Sequence, residues 1–275
     1  MTIHDALAYA ARTLSDVCER PRFEVELLLS YHLGCDRTYL IAHPDAEVSD
    51  EEGFGKLVKR RAAHEPYEYI VGKASFYDIE LAAAPGVLIP RPETELLVDK
   101  VAEIIRAEKL NRIVEVGVGS GAISIVLARM FPSLRITATD ISPDALRIAR
   151  ENIERFGLQN RIEPVHTDLL DGVDNAPLVV SNPPYIAHDA PLNTNVKDYE
   201  PSQALFGGEQ GDEVLKRLID EVHARGIPYL ACEMGYDQKA PIKAYVAQKG
   251  EYEIAFYKDL AGLDRGFVMK NARHF

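Results

Sequence analysis

Arg112-Ile113-Val114-Glu115-Val116-Gly117-Val118-Gly119-Ser120-Gly121-Ala122 is the stretch from which the fold follows. A short run rich in β-branched residues enters a glycine-rich turn, and a helical apolar pattern resumes at Ala122. A strand passing through such a turn into a helix is the opening half of a βαβ crossover. Working outward, the spacing predicts helices over Leu96 to Ala107, Ala122 to Met130 and Pro143 to Phe156. Strands are predicted at Arg112 to Val116, Arg135 to Thr139, Ile162 to His166 and Leu178 to Ser181. Helices near Asp212 to Ala224 and Gln238 to Gln248 flank a strand near Pro228 to Glu233. Two closing strands, near Glu253 to Tyr257 and Gly266 to Lys270, are expected to pair antiparallel. Such alternation implies an α/β fold with a mostly parallel sheet and right-handed crossovers.

Upstream, the pattern changes twice. Leu7, Ala10, Ala11 and Leu14, then Phe23, Leu27, Leu28 and Tyr31, recur at helical spacing. Ser49 ahead of Asp50-Glu51-Glu52 reads as a capping box opening a helix through Val58 and Arg61. From Tyr67 through Leu81 the composition is β-prone, with turn candidates at Gly72 and Asp78, followed by Pro85, Pro90 and Pro92. The expected organisation is a helical domain over 1–72, a β-hairpin linker over 73–92 and an α/β domain over 93–275. Ile186 to Gly211 is long, polar and without period, as a lid or substrate loop would be; Tyr199 and Glu200 alternatively pack it down.

The 275 residues are 47% apolar and 27% charged, the composition of a globular chain with room for one large or two smaller domains. Lys and Arg number 31 against 43 Asp and Glu, and the net charge of −12 weighs against a nucleic-acid or membrane-surface binder. Cys18, Cys35 and Cys232 form no Cys-x-x-Cys pair, which argues against a disulfide framework and a cysteine zinc site and fits a reducing cytoplasm. No leader pattern opens the chain, and no apolar run approaches the roughly 20 residues that span a bilayer. The eight histidines lack metal-ligand spacing, so no metal is expected.

Chemistry concentrates at the strand ends. Glycines at 117, 119 and 121 let the backbone approach a ligand, and the following helix start offers N–H donors. Asp140 ends the next strand, where a carboxylate can accept from two ribose hydroxyls. The turn also satisfies G-x-G-x-x-A, so a dinucleotide enzyme competes, as does a tight turn with no ligand. Glu115 separates the competitors, because a carboxylate just before the first glycine suits a cationic ligand. S-adenosylmethionine carries an ammonium and a sulfonium and no pyrophosphate. Asp168 ends the third strand, placed either for an adenine edge or as a helix N-cap.

Ser181-Asn182-Pro183-Pro184-Tyr185 follows the fourth strand, at the C-terminal sheet edge where open α/β folds build their sites. An amide or aromatic amine nitrogen is a weak nucleophile because its lone pair is delocalised. Two acceptors, the Asn182 side-chain oxygen and the Pro183 carbonyl, can hold its N–H groups and favour the charge that develops on methyl attack. Pro183 and Pro184 preorganise the turn, and Tyr185 can pack on the planar group.

These residues resemble those of S-adenosylmethionine-dependent methyltransferases acting on a planar nitrogen. Glu65-Pro66-Tyr67-Glu68-Tyr69-Ile70-Val71-Gly72 and Leu88-Ile89-Pro90-Arg91-Pro92-Glu93-Thr94-Glu95 narrow the resemblance to the peptide chain release factor glutamine methyltransferases, the HemK/PrmC family. Tyr199-Glu200-Pro201, Ala204 to Gly208, Glu233-Met234-Gly235 and Asp259 to Arg265 also fit. Glu115 stands where Asp is commoner, Val118 where Thr is commoner, and Phe76-Tyr77-Asp78 lacks a glycine often found there. The resemblance implies a Rossmann-like domain with a seven-stranded sheet, and N5-methylation of the Gly-Gly-Gln loop glutamine of bacterial class I release factors. It implies that Glu115, Gly117, Val118, Gly119, Ser120, Gly121, Asp140 and Asp168 bind S-adenosylmethionine, leaving S-adenosylhomocysteine as product. Asn182, Pro183, Pro184 and Tyr185 would bind the glutamine, with Asn182 near both ligands.

Arg91 and Glu93 are expected at the mouth of the crevice, or alternatively in a salt bridge pinning the linker. Lys56, Lys59, Arg60 and Arg61 read as a solvated helix face or as a contact for the release factor. The competing activities are an adenine-N6 nucleic-acid methyltransferase, which needs a basic groove, a methyltransferase of ribosomal-protein glutamine, and a non-catalytic sensor of S-adenosylmethionine.

Overall fold

The computed structural model describes residues 1–250 and 252–272. Residues 273–275, the end of the expected α/β domain, lie outside the described residues. The chain divides into two units, Met1–Lys73 with Leu192–Tyr199, and Ala74–Pro191 with Glu200 onward.

The first unit is built on α1 (Ile3–Thr13), α2 (Pro21–Leu33), α3 (Arg37–Ala42), α4 (Glu51–Ala62) and α5 (Tyr67–Val71). Their apolar faces bury Ile3, Leu7, Leu14, Leu28, Leu29 and Phe54 in one core. Local signals set the boundaries. Thr2 and Asp36 accept N–H groups from the first turns of α1 and α3, and Gly34 closes α2 at φ +65°. The cap of α4 is Asp50, which accepts the Gly53 N–H at 3.0 Å, one residue later than the expected Ser49. Tyr67–Val71 is a helical turn and not the expected strand start. Pro66 begins it, Gly72 ends it in the left-handed region, and Ile70 and Val71 pack into the helical core. Tertiary burial overrides β-propensity there. The basic run is largely spent inside the unit. Arg61 is buried and bonds Glu24 at 2.5 Å, Arg60 bonds Glu65 and Lys56 pairs with Glu52.

From Ala74 the second unit carries a hairpin, β1 (Lys73–Phe76) and β2 (Ile79–Ala82), whose turn puts Tyr77 at φ +56°. That is the conformation glycine favours, and Tyr77 holds it by donating its N–H to Glu95 at 2.8 Å and its hydroxyl to Asp99. Then follow α6 (Thr94–Glu108), β3 (Arg112–Val116), α7 (Ala122–Met130), β4 (Arg135–Asp140), α8 (Pro143–Arg155), β5 (Ile162–His166) and β6 (Leu178–Ser181). The segment expected to be irregular carries short elements: β7 (Ile186–Ala187), α9 (Thr194–Lys197), α10 (Ser202–Leu205) and β8 (Phe206–Gly208). Of these, α9 clusters with the helical unit, where the Tyr199 hydroxyl donates to the Ala63 carbonyl at 2.6 Å. The chain continues with α11 (Glu213–Ala224), β9 (Tyr229–Glu233), α12 (Lys239–Ala247), β10 (Tyr252–Lys258) and β11 (Asp264–Asn271).

Seven strands form one sheet in the order β10-β11-β9-β6-β3-β4-β5. The pairs from β9 to β5 are parallel, while β11 runs antiparallel to β9 and to β10, as the alternation predicts. One face packs on α6, α7 and α8 through Leu97, Ile125 and Leu146, the other on α11 and α12 through Leu218 and Ile242. Chain order reverses between β3 and β6, which makes their C-terminal ends the switch point where such sheets bind ligands.

Asn152 on α8 staples the hairpin to the glycine turn. It is 0% exposed, accepts the Ala82 N–H at 2.7 Å and donates to the carbonyls of Ala82 and Ser120 at 3.2 and 2.9 Å. Asn152→Leu leaves three backbone groups, one of them buried, without their side-chain partner, so urea denaturation should show a loss of about 2–4 kcal/mol. A change within about 0.5 kcal/mol would show the staple to be dispensable.

Candidate active site

Gly117, Asp140, Asp168 and Asn182 follow or end β3, β4, β5 and β6 and all line one cavity of about 310 Å³. A neighbouring hollow of about 50 Å³ shares Leu88, Gly117, Gly119 and Asn182 with it and adds Arg91, Thr94, Glu115, Val118 and Ser120. Pro183 and Pro184 border the larger cavity. Gly121, Glu93 and Tyr185 line neither: Gly121 starts α7 at φ +86°, and Glu93 caps α6. Tyr185 packs against the core under the sheet and donates its hydroxyl to Glu233 at 2.9 Å, which anchors the end of the tetrapeptide.

The glycine turn is folded on itself. Gly117 and Val118 donate their N–H groups to the Thr139 carbonyl at 2.8 and 2.9 Å, Gly119 donates to Asp140 at 3.0 Å, and Gly121 to Val118 at 2.8 Å. Four N–H groups of the turn are thus spent on the protein's own acceptors. The cations at the cavity are likewise engaged, Arg217 with Asp168 at 2.6 Å and Arg91 with the buried Glu200 at 2.6 Å. Glu200 also accepts the Ile89 N–H at 3.2 Å, so Arg91 stands in the ion pair that pins the proline-rich segment as well as beside the smaller hollow.

Carboxylates dominate the floor. Glu115 is 1% exposed and bonded to the Ser124 hydroxyl; burial, with Asp140 adding like charge, pushes its pKa up to about 8. Burial also raises Asp140, against the N–H groups of Gly119 and Ser142 that favour its charge. A positively charged ligand brought here favours the ionised form of both carboxyls, which suits a cation better than a phosphate. Its tetrapeptide is closely covered. A Cβ on Gly207 would lie 2.5 Å from the Pro184 carbonyl oxygen, and one on Gly211 2.6 Å from that of Tyr185. Among the described residues no cluster of three or more His, Cys, Asp or Glu is placed to hold a metal ion.

Thr94, Glu200, Arg217 and Glu233 take no part in the sequence-based site. Thr94, Glu200 and Glu233 do fall within segments that carried the family resemblance, which was their one available signal.

Residues 5–72 match the PrmC N-terminal domain family and residues 92–198 the methyltransferase small domain family. The chain is 36% identical to the release factor glutamine methyltransferase of Koribacter versatilis, over 98% of each chain. It is 37% identical to that of Bordetella pertussis, over 89% of this chain and 93% of the relative. The chain belongs to the release factor glutamine methyltransferases. Beyond the family, the hMettl16 catalytic domain in complex with MAT2A 3′UTR hairpin 6 shares the fold, with a TM-score of 0.57 at 19% identity over 70% of this chain and 75% of that one.

The cofactor of this methyltransferase family is S-adenosylmethionine, and the mixed apolar and acidic lining fits it. A buried carboxyl with its pKa near 8 is mostly protonated at pH 7, whereas the same group would ionise near 4.5 in water. With Glu115 as the group that meets the cofactor's ammonium, the expected outcome is that binding expels a proton and that affinity weakens as pH falls below 8. Calorimetry at pH 7 in buffers of different ionisation enthalpy should show release of about one proton in the wild type and none in Glu115→Gln. A buffer-independent binding heat in the wild type would contradict this.

Proposed function

We propose that this protein transfers a methyl group from S-adenosylmethionine to the side-chain amide nitrogen, N5, of the Gly-Gly-Gln loop glutamine of class I release factors in a bacterial cytoplasm. The observation that carries the reading is the position of Asn182. It borders both hollows, beside a glycine turn whose lining favours a cation over a phosphate.

The cofactor, when bound, supplies an electrophilic methyl. The chain's residues supply position and field. Gly117 and Gly119 give close backbone approach, Asp140 accepts from ribose hydroxyls, and Asp168 faces the adenine edge. Glu115 balances the ligand's positive charge, while Val118, Ser120 and Gly121 shape the turn. The Asn182 Oδ1 and the Pro183 carbonyl accept the two N–H groups of the glutamine amide. That orients the nitrogen lone pair along the methyl axis and stabilises the positive charge that develops there. The methylated nitrogen is acidic and loses its proton after transfer, so no strong base is required beforehand. Pro183 and Pro184 hold the turn rigid, Tyr185 anchors its end, and Arg91 borders the substrate's approach. The helical unit, residues 1–72, serves as the region that holds the protein substrate. With Arg91 and Arg217 paired at the crevice and a net charge of −12, the protein is not expected to bind nucleic acid directly. Among the described residues no helix is long and apolar enough to cross a membrane.

Incubation of the purified chain with a release factor and methyl-labelled S-adenosylmethionine should label the wild-type factor and not a variant lacking the loop glutamine. Equal labelling of the two, or transfer only to an RNA or DNA oligonucleotide, would overturn the reading. Asn182→Ala should lower kcat by about 100- to 1000-fold while cofactor affinity changes only a few-fold. Parallel loss of both would remove Asn182 from its role.

A further inference from the structure

Glu233 ends β9 at the sheet's switch-point edge and is 1% exposed, and no step of the proposed transfer requires it. It is nevertheless bound from two sides. Its Oε1 accepts the Tyr185 hydroxyl at 2.9 Å, and its Oε2 accepts the Thr94 hydroxyl at 2.7 Å. Thr94, on the first turn of α6, is 4% exposed, and its Oγ1 in turn accepts the Asn182 Nδ2 at 3.0 Å. Both ends of the Asn-Pro-Pro-Tyr tetrapeptide are therefore tied to one carboxylate.

We infer that Thr94 and Glu233 form a positioning relay that fixes which edge of the Asn182 amide faces the methyl-accepting nitrogen; this rests on the reading of Asn182 as an acceptor. A carboxylate only accepts, and a threonine hydroxyl has one proton to give. Once that proton is donated to Glu233, the Thr94 oxygen can only accept from Asn182. The Asn182 amide must then turn its NH₂ edge to Thr94, which leaves Oδ1 as its remaining edge. The two edges of an asparagine amide are nearly the same shape, so shape alone does not choose between them. The wrong choice would set N–H donors against the N–H groups of the glutamine and abolish the acceptor pair. Burial, with Glu93, pushes the Glu233 carboxyl up, and the hydroxyls donated by Thr94 and Tyr185, with Arg265, act against that shift and in favour of the accepting form. Thr94 and Glu233 are thus positioning residues that act through Asn182.

The test uses the full chain in wild-type, Thr94→Val and Thr94→Ser forms. Measurements are kcat and KM with a release factor, cofactor Kd by calorimetry, Tm, and the side-chain amide signal of Asn182 in ¹⁵N spectra, assigned by its absence in Asn182→Ala. Thr94→Val should lower kcat about 100-fold, with cofactor Kd within about threefold of wild type, and Thr94→Ser should restore kcat to within about fivefold. The Asn182 amide signal should move in the valine variant and return in the serine variant. The relay is overturned if Thr94→Val keeps kcat within about twofold, if serine fails to rescue, or if cofactor affinity falls as far as kcat. If the Tm shows that the valine variant is unfolded, Thr94→Ala takes its place under the same criteria. A wild-type chain that transfers no methyl to any release factor would count against the functional reading, and the amide signal would still decide the relay.

Discussion

Everything in the site depends on how two adjacent parallel strands end. β3 and β6 are neighbours in the sheet, Val116 lies opposite Ser181, and the Ser181 hydroxyl donates to the Val116 carbonyl at 2.8 Å. That pairing sets the glycine turn and the Asn-Pro-Pro-Tyr turn side by side. A side chain at Gly117 would begin 3.8 Å from the Asn182 carbonyl, in the left-handed conformation that side chains rarely adopt. The group that holds the methyl donor and the group that holds its acceptor are therefore placed by one register. Sequence order reverses at this point, so the crossovers leave toward opposite sides and open the crevice between them.

The electrostatics follow from the same placement. Glu115 points from β3 into the interior and Asp140 ends β4, both in surroundings that disfavour charge unless a cation comes to meet it. The arginines near the crevice are held by carboxylates, and the turn's N–H groups by the protein's own acceptors. The glycine spacing alone leaves a dinucleotide and S-adenosylmethionine both open, and membership of the release factor glutamine methyltransferases separates them.

Local chemistry was legible in the sequence. The strands from Arg112 to Ser181, the helices between them and the antiparallel closing pair follow from apolar periodicity and glycine placement, and their boundaries shift by only a residue or two. Tyr67–Val71 misled because tyrosine, isoleucine and valine favour strands, while Pro66 and Gly72 delimit one helical turn buried against other helices. Tyr77 carries the missing glycine's backbone conformation through contacts to Glu95 and Asp99 that nothing local announces. The parts of the site that escaped reading share one property, distance along the chain. Glu233 meets Thr94 across 139 positions, Glu200 meets Ile89 across 111, and Asn152 meets Ala82 across 70. No period or spacing encodes such pairs; only the fold brings them together. Distance likewise hides the Tyr185 hydroxyl's partner, that same glutamate, 48 positions away.

The central claim is that this crevice exists to methylate one glutamine of a release factor. Mass spectrometry of the release-factor loop peptide from cells with and without this protein tests it most directly. The account predicts a peptide one methyl heavier at the glutamine side chain in the parent cells, unmethylated in the deletion, and restored by the wild-type chain but not by Asn182→Ala. A loop glutamine methylated to the same extent in both strains would contradict it.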